Sequence, residues 1–237
     1  MADSAGDFIV MTSGAFTAAH LSLVRELERL TKKKIVTATT SVGTGETSIH
    51  NRLKRRETAD IVIVAEPLFR QFLAEGLVQA EGYKAVARSG MAMAVRAGAP
   101  KPDLGTVEGL KRTLLEAKTI AYSASVSGEY FKNELCQRLG VADQVLPKAR
   151  FIGGGERTGA VVARGEADIA FQQMSELLPV SGLAHITPLP AEVQKITSFF
   201  AGVGATTTDG ALARKVIDFL ASAEAASAVT KTGLDLP

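Results

Sequence analysis

The chain has 237 residues, 46% hydrophobic and 22% charged, with 27 Lys and Arg against 25 Asp and Glu. This composition is typical of a globular protein and excludes disordered, collagen-like and coiled-coil classes. A formal net charge of +2 is too small to indicate a nucleic-acid partner, because binding to phosphate backbones depends on many clustered cations. The single Cys136 excludes an internal disulfide, and the scattered His20, His50 and His185 form no metal-ligand pattern, so we predict no metal and no cofactor.

The start of the chain indicates little about its cellular location. Residues 1–7 lack the basic and apolar segments of an export signal, and no run approaches the ~18–20 apolar residues of a membrane span. Two predictions therefore stay open. The protein is cytoplasmic if Met1 is the native start, and periplasmic if an export signal was removed from a longer chain.

Short apolar runs alternate with amphipathic segments along the chain, which is typical of βα units and a mainly parallel sheet. At the start of the chain this pattern predicts strands at 8–11, 35–39 and 59–64. The helices predicted to follow them are 16–30, a segment through Ile49 and Leu53, and 67–76. Pro67 and Gly76 bound the last of these, because proline is favoured in a first helical turn and glycine just after a last one.

A second βα series begins with a strand just before the loop at 96–102 and continues after it. Its predicted strands are 91–95, 119–122, 149–152 and 168–171, and its predicted helices are 107–117, 128–139 and 158–164. A strand at 196–203 and two helices at 211–221 and 224–232 end the chain. We therefore predict a two-lobed α/β fold with a ligand cleft between the lobes, each lobe a mainly parallel sheet flanked by helices. Lobe I is predicted to cover 1–87 and 197–237, and lobe II 88–196.

Four junctions between a predicted strand and helix are rich in glycine and small hydroxyl residues. They are 12–14, 41–45, 123–128 and 153–155. In parallel sheets, ligands bind beyond the carboxyl ends of the strands, where helix N-termini present unpaired N–H groups and favour anions. Serine, threonine and glycine are also ordinary helix caps and turn formers, so each junction has a purely structural alternative.

Three longer polar side chains lie near these junctions. Arg157 follows the glycine triplet and can make a bidentate contact with a carboxylate, or it can be an ordinary surface arginine at a helix start. Gln172 and Gln173 end a buried strand, where their amides can donate to a ligand oxygen or simply end the sheet. No nucleophile elbow and no nucleotide-binding glycine motif follows a strand, so neither a serine hydrolase nor a nucleotide-binding protein is favoured.

The candidate groups for acid–base chemistry are Glu129, Glu46 and His20. We expect Glu46, Glu129 and Glu156 in the first turns of helices, where the helix dipole favours a carboxylate, so a structural role is an alternative to proton transfer. His20 lies about one turn into the first helix, where it fits a packing or surface role as well as a catalytic one.

Four segments of the chain carry a family resemblance. They are 10–16 (Val-Met-Thr-Ser-Gly-Ala-Phe), 59–63, 122–130 and 164–171 (Arg-Gly-Glu-Ala-Asp-Ile-Ala-Phe). Over nearly its full length the chain resembles the type 2 periplasmic solute-binding proteins and, within them, the molybdate-binding-protein-like family of ABC transporters. The resemblance implies a periplasmic-binding-protein-like fold, a small anionic ligand, and a transporter membrane component as a partner.

In that family, neutral donors from successive junctions hold a tetrahedral oxyanion, and a tyrosine at the end of a later strand completes the site. The resemblance assigns the corresponding roles to Ser13 with Gly14, to Ser41 or Thr44, to Ser127 and to Gly155. The tyrosine position falls on Gln173. This departure, together with the cation of Arg157, argues against molybdate as the ligand.

Segments 11–19, 96–103 and 171–179 are more similar to a subgroup that includes bacterial aconitate isomerase, an enzyme that shifts a double bond in a tricarboxylate. The resemblance therefore implies a di- or tricarboxylate ligand. One function that follows is a binding protein that closes on this anion and delivers it to a transporter. The alternative is an isomerase that removes an allylic proton and returns it elsewhere. A third possible function is that of a ligand-sensing module.

Overall fold

The computed structural model describes residues 6–237, so the residues that carry most of the export-signal prediction lie outside the described part. The chain divides into two compact units. The first continues to Arg88 and resumes at Ser198, and the second is Ser89–Thr197. None of the helices within residues 6–237 combines the length and the hydrophobicity of a membrane-spanning segment.

The first unit begins with alternating strands and helices. They are β1 (Phe8–Thr12), α1 (Gly14–Thr31), β2 (Ile35–Ala38), α2 (Ile49–Lys54), β3 (Ile61–Ala65) and α3 (Glu66–Ala74), followed by β4 (Lys84–Arg96), in which the chain passes into the second unit. β1 pairs in parallel with both β2 and β3. Every residue of β3 is buried, as expected for a central strand of β-branched residues covered on both faces.

The second unit contains the next set of elements. They are α4 (Val107–Glu116), β5 (Ile120–Ser123), α5 (Val126–Tyr130), α6 (Cys136–Arg138), α7 (Ala142–Val145), β6 (Ala149–Ile152), α8 (Thr158–Ala163), β7 (Ile169–Gln173), α9 (Met174–Leu177) and β8 (Leu183–Pro188). β5 pairs in parallel with β6 and β7, whereas β4 pairs antiparallel with β7 and β8.

The chain re-enters the first unit within β9 (Ile196–Val203) and ends with α10 (Gly210–Leu220) and α11 (Ala223–Thr230). β9 pairs antiparallel with β3, with Val203 opposite Ile61. Asp209 caps α10 by accepting a hydrogen bond from the backbone N–H of Leu212, at 3.1 Å. The first unit is therefore assembled from two separate stretches of sequence.

The alternation of side chains along β4 divides the core of the second unit into two layers. Met91, Met93 and Val95 pack with the aromatic and aliphatic residues of one cluster, while Ala92 and Ala94 pack into a second cluster. Successive residues of a strand point to opposite faces, so the sheet is buried on both sides. The helices that cover these faces hold the carboxyl ends of β5 and β7 in fixed positions.

The structure differs from the sequence prediction in three local features. The predicted helix at 128–139 starts earlier, at Val126, and changes to a π-helical turn over Phe131–Leu135 between α5 and α6. The elements α7, α9 and β8 were not predicted. Strand pairing is mixed in each unit, because β9 pairs antiparallel with β3, and β4 pairs antiparallel with β7 and β8.

Candidate functional site

In the first unit, Ser13 lies at the carboxyl end of β1 and is the N-cap residue of α1. Its backbone N–H donates to the carbonyl of Ile63 on β3, at 2.9 Å. Its Oγ is buried, makes no capping bond, and has no hydrogen-bond partner among residues 6–237. A buried hydroxyl without a partner is costly, so this oxygen is available to a ligand at the start of a long helix that begins at Gly14.

The junction after β2 lies beside the junction after β1. The Thr40 hydroxyl donates to the carbonyl of Thr12 at 2.7 Å, which ties the two loops together. Ser41 is buried, with its Oγ 2.9 Å from Oγ1 of Thr47. The side chain of Thr44 is exposed further along the loop. Of the two alternatives that the sequence left open, Ser41 is therefore the one held near the strand end.

Two serines at the N-cap positions of helices in the first unit allow a matched comparison of stability. The side chain of Ser48 caps α2 by accepting from the backbone N–H of Asn51, at 3.2 Å, whereas Ser13 Oγ caps nothing. We expect Ser48→Ala to lower the free energy of unfolding by about 1 kcal/mol, and Ser13→Ala to lower it by less than half as much. Denaturant unfolding of both variants measures the difference. Equal losses would contradict a Ser13 hydroxyl that is free of structural bonds.

In the second unit, three serine hydroxyls form a chain at the carboxyl end of β5. Ser123 Oγ lies 2.9 Å from Ser125 Oγ, which lies 2.8 Å from Ser127 Oγ. Ser127 is fully buried in the first turn of α5. Gly128 allows this turn to pack on the strand end, since a Cβ at this position would overlap the backbone carbonyl oxygen of Ser123.

Because the obstacle at Gly128 is backbone, the loop that carries the serines must move to accept a side chain there. We expect Gly128→Ala to lower the free energy of unfolding by about 1–3 kcal/mol, as overpacking does in a closed core. Gly105→Ala is the matched control, since its Cβ would meet nothing closer than 3.8 Å. Denaturant unfolding measures both variants. A loss at Gly128 no larger than at Gly105 would contradict the close packing described above.

The glycine triplet follows β6 and leads into α8. Gly154 and Gly155 both have positive φ angles, of 66° and 81°, a conformation that side chains disfavour. Arg157 is the N-cap residue of α8 and is half-buried, and its guanidinium makes no hydrogen bond or ion pair with any residue from 6 to 237. In contrast, Arg164 at the other end of α8 bonds to both Glu156 and Glu166, at 2.6 Å each.

The two glutamines at the end of β7 make different contacts. Gln172 Oε1 accepts from the Thr158 hydroxyl at 2.7 Å, and its Nε2 donates to Glu176 Oε1 at 2.9 Å. Gln173 is buried and donates from Nε2 to the Thr197 hydroxyl at 3.0 Å, while its Oε1 has no hydrogen-bond partner within residues 6–237. Since β5, β6 and β7 run in parallel, their carboxyl ends bring the two predicted junctions of this unit, together with Gln172 and Gln173, to one sheet edge.

The acid–base candidates lie in unequal surroundings. His20 is fully buried, its Nε2 lies 2.8 Å from Thr37 Oγ1, and burial lowers the pKa of its imidazole to about 4. Glu129 does lie in the first turn of α5, where it is exposed and accepts from Asn133 at 2.7 Å. The expectation that Glu46 and Glu156 lie in first helical turns was wrong: both are exposed in the loops before α2 and α8, whose N-cap residues are Ser48 and Arg157.

Sequence reasoning did not single out Glu176, which lies in the first turn of α9 and is only 6% exposed. Burial raises the pKa of its carboxyl to about 7, although the nearby Arg157 and the hydrogen bond from Gln172 oppose this rise. The sequence does contain one indication of a helix start at this glutamate. Glu176 stands three residues after Gln173, the spacing at which a glutamate bonds back to the start of a helix.

Comparison with known proteins shows a relationship along almost the whole chain. A sequence profile of the family described as bacterial extracellular solute-binding protein matches residues 8–235. An aconitate isomerase from Pseudomonas sp is 36% identical over 226 residues, which cover 95% of this chain and 86% of that protein.

Solved structures share the fold at low sequence identity. The periplasmic molybdate-binding protein of Azotobacter vinelandii superposes with a TM-score of 0.78 and 16% identity, over 98% of this chain and all of that chain. The tungstate ABC transporter structure from Geobacter sulfurreducens has a TM-score of 0.67 and 17% identity, over 95% of this chain and 98% of its own. These similarities confirm the predicted periplasmic-binding-protein-like α/β fold.

Proposed function

This chain belongs to the bacterial extracellular solute-binding protein family, and we propose that it binds a small polycarboxylate of the aconitate class and isomerises it. The observation that carries the proposal is the guanidinium of Arg157, which has no partner among residues 6–237 and lies at the sheet edge where β6 and β7 end. The 36% identity to an aconitate isomerase supports both the ligand class and the reaction.

A free guanidinium is suited to bind a carboxylate. Its fork of N–H groups matches the two oxygens of a planar carboxylate, and such charge-assisted pairs are the stronger hydrogen bonds in proteins. Arg164 is a useful comparison, because its guanidinium is paired with two glutamates, as expected for an arginine with a structural role. Arg157 instead keeps its donors available.

Two further side chains support an anionic ligand. Ser13 Oγ and the side-chain amide of Gln173 are each buried with one unsatisfied atom. The Thr197 hydroxyl can donate as well as accept, so the amide of Gln173 can turn over and present its NH₂ group as the free atom. In that orientation Gln173 donates to a carboxylate oxygen. Gln173 occupies the position that corresponds to the tyrosine of the molybdate-binding-protein-like family.

The reaction that we propose is an allylic proton shift. A base takes a proton from the methylene carbon next to a carboxylate, and the electron pair of that C–H bond becomes a new C=C bond as the old one is broken. The negative charge is spread over a carboxylate in the intermediate, where a cation such as Arg157 stabilises it. The proton then returns to the carbon that was formerly vinylic, so that substrate and product are isomers.

Solute capture without turnover is the second candidate function. The family match to extracellular solute-binding proteins favours it, and it would require the membrane component of an ABC transporter as a partner. The two candidates share a polycarboxylate ligand and differ only in whether the bound molecule changes.

One experiment on the purified protein tests both candidates. Thermal unfolding is followed with cis-aconitate, trans-aconitate, citrate, molybdate and sulfate, since a ligand at a hundredfold excess over its Kd stabilises the protein by roughly 2.7 kcal/mol. We expect stabilisation by an aconitate, and ultraviolet absorbance should then follow its conversion to the other isomer. Stabilisation without conversion would support capture alone. Stabilisation by molybdate alone would overturn the carboxylate proposal.

A further inference from the structure

The carboxyl group of Glu176 is held at the same sheet edge as Arg157. Glu176 follows β7 by three residues, and Arg157 is the N-cap residue of α8, the helix that follows β6. The Thr158 hydroxyl, next to Arg157, bonds to Gln172, and Gln172 bonds to Glu176. A continuous line of hydrogen bonds therefore connects the start of α8 to this carboxyl group.

These bonds fix the orientation of the network. The carboxylate of Glu176 can only accept, so the NH₂ group of Gln172 faces it and the amide oxygen of Gln172 accepts from Thr158. All three side chains are at least nine-tenths buried, so water does not compete strongly for these bonds. The carboxyl group is consequently positioned before a substrate binds, which is the condition for efficient proton transfer.

The charges around Glu176 come from few residues. α8 and β8 pack against α9, and so does β7. β7 has no ionisable side chain, β8 contributes only the exposed His185, and α8 has charged residues only at its two ends, Arg157 and Arg164. Arg164 is neutralised by two glutamates, so Arg157 is the cation that Glu176 senses.

Glu176 combines an unusual affinity for protons with a fixed position. Burial raises the pKa of its carboxyl to about 7. A group with a pKa near neutral pH can accept a proton from carbon and release it again within one catalytic cycle. Glu129 and Glu46 are exposed, and their surroundings provide no comparable burial.

We infer that Glu176 is the catalytic residue that carries the proton in the isomerisation, an inference that rests on the proposed function. Its carboxylate takes the proton from the methylene carbon of the substrate, and the resulting carboxylic acid gives that proton to the former vinylic carbon. Arg157 holds the substrate carboxylate beside it and stabilises the charge that forms. The enzyme ends the cycle in its starting protonation state, and no further reactant is needed.

A structural role for Glu176 predicts different results. A glutamate at the third position of a helix also caps it by accepting from the backbone N–H of the N-cap residue, here Gln173. Glutamine fills the same capping role and can accept from Gln172, but it cannot take up a proton. Glu176→Gln therefore separates the two roles, and Glu116→Gln at an exposed position of α4 is the matched control.

The test compares wild type, Glu176→Gln and the control in binding of cis-aconitate by calorimetry and in turnover by ultraviolet absorbance. We expect Glu176→Gln to keep the wild-type Kd within about threefold and to lose kcat by about a hundred- to ten-thousandfold. We expect the wild-type kcat/KM to rise with pH, with an inflection near pH 7, because the free enzyme must hold the carboxylate form. A variant that keeps more than a tenth of wild-type kcat would overturn the inference.

Two further outcomes of this test are misfolding of Glu176→Gln and binding of aconitate by the wild type without conversion. If Glu176→Gln fails to fold, Glu176→Asp replaces it, since its carboxyl group is set back by one methylene. We expect at least a tenfold loss of kcat with the inflection retained, and an unchanged kcat would overturn the inference. If the wild type binds aconitate without converting it, the isomerase proposal fails and Glu176 loses its catalytic role, while the ligand class stands.

Discussion

Arg157→Ala should weaken the binding of cis- and trans-aconitate by about 30- to 100-fold, which corresponds to the 2–3 kcal/mol of a charge-assisted hydrogen-bonded pair. The half-buried guanidinium forms no bond within residues 6–237 that the substitution would break, so the free energy of unfolding should stay within about 0.5 kcal/mol of wild type. Isothermal titration calorimetry with each isomer measures the Kd, and denaturant unfolding measures the stability.

Two variants make this prediction specific. Arg157→Lys keeps the charge but loses the flat pair of donors, so we expect an intermediate Kd. Arg112→Ala removes an exposed arginine of α4 that pairs with Asp103 at 2.6 Å, and we expect a wild-type Kd. An Arg157→Ala protein that binds both isomers as tightly as wild type would show that the cation is not part of the binding site.

The largest effects on stability should come from two buried groups that titrate in opposite directions. The pKa of His20 is about 4 in the folded protein against 6.5 unfolded, so its contribution is present above pH 6.5 and is lost as the pH falls. Glu176 has a pKa of about 7 when folded against 4.5 unfolded, so its contribution is present below pH 4.5 and is lost as the pH rises. Between pH 5 and 8 each amounts to about 2 kcal/mol.

Because the two contributions nearly cancel, we expect these groups to give the wild type little pH dependence between pH 5 and 8. Glu176→Gln should become less stable toward pH 5, and His20→Gln should become less stable toward pH 8. Denaturant unfolding at four pH values in this range measures the slopes, and the double variant should again be nearly flat. Parallel slopes in the two single variants would contradict the opposite titrations.

The fold was predictable because its main elements have strong local signals. The first four residues of β3 are a continuous run of buried β-branched side chains, and the helices α4 and α10 begin after capping residues that bond to their first turns. β8 gave a weak signal, since its residues are mostly half-exposed and His185 has a φ of 51°. The π-helical turn left no trace in the hydrophobic pattern, which looks the same for an α-helix of similar length.

The site was harder to predict because its chemistry depends on burial rather than on residue type. Arg157 could be identified from its place after the glycine triplet, but its lack of a partner became visible only in the structure. Glu176 was not identified from the sequence, because α9 was not predicted and only the packing of α8, β7 and β8 around α9 buries its carboxyl group. Whether Ser13, Ser41, Ser127, Gly155 and Gln173 contact one ligand stays a prediction.

The path of the chain also determines the order in which the two units can form during synthesis. All of the second unit has been synthesised once Thr197 is added, so it can fold while the rest is still being made. β3, in contrast, pairs with residues 199–203 of β9, and α10 and α11 follow later still. Of the two units, the first is therefore started earlier and completed later. Until β9 has been synthesised, the edge of β3 that pairs with it is open and needs protection.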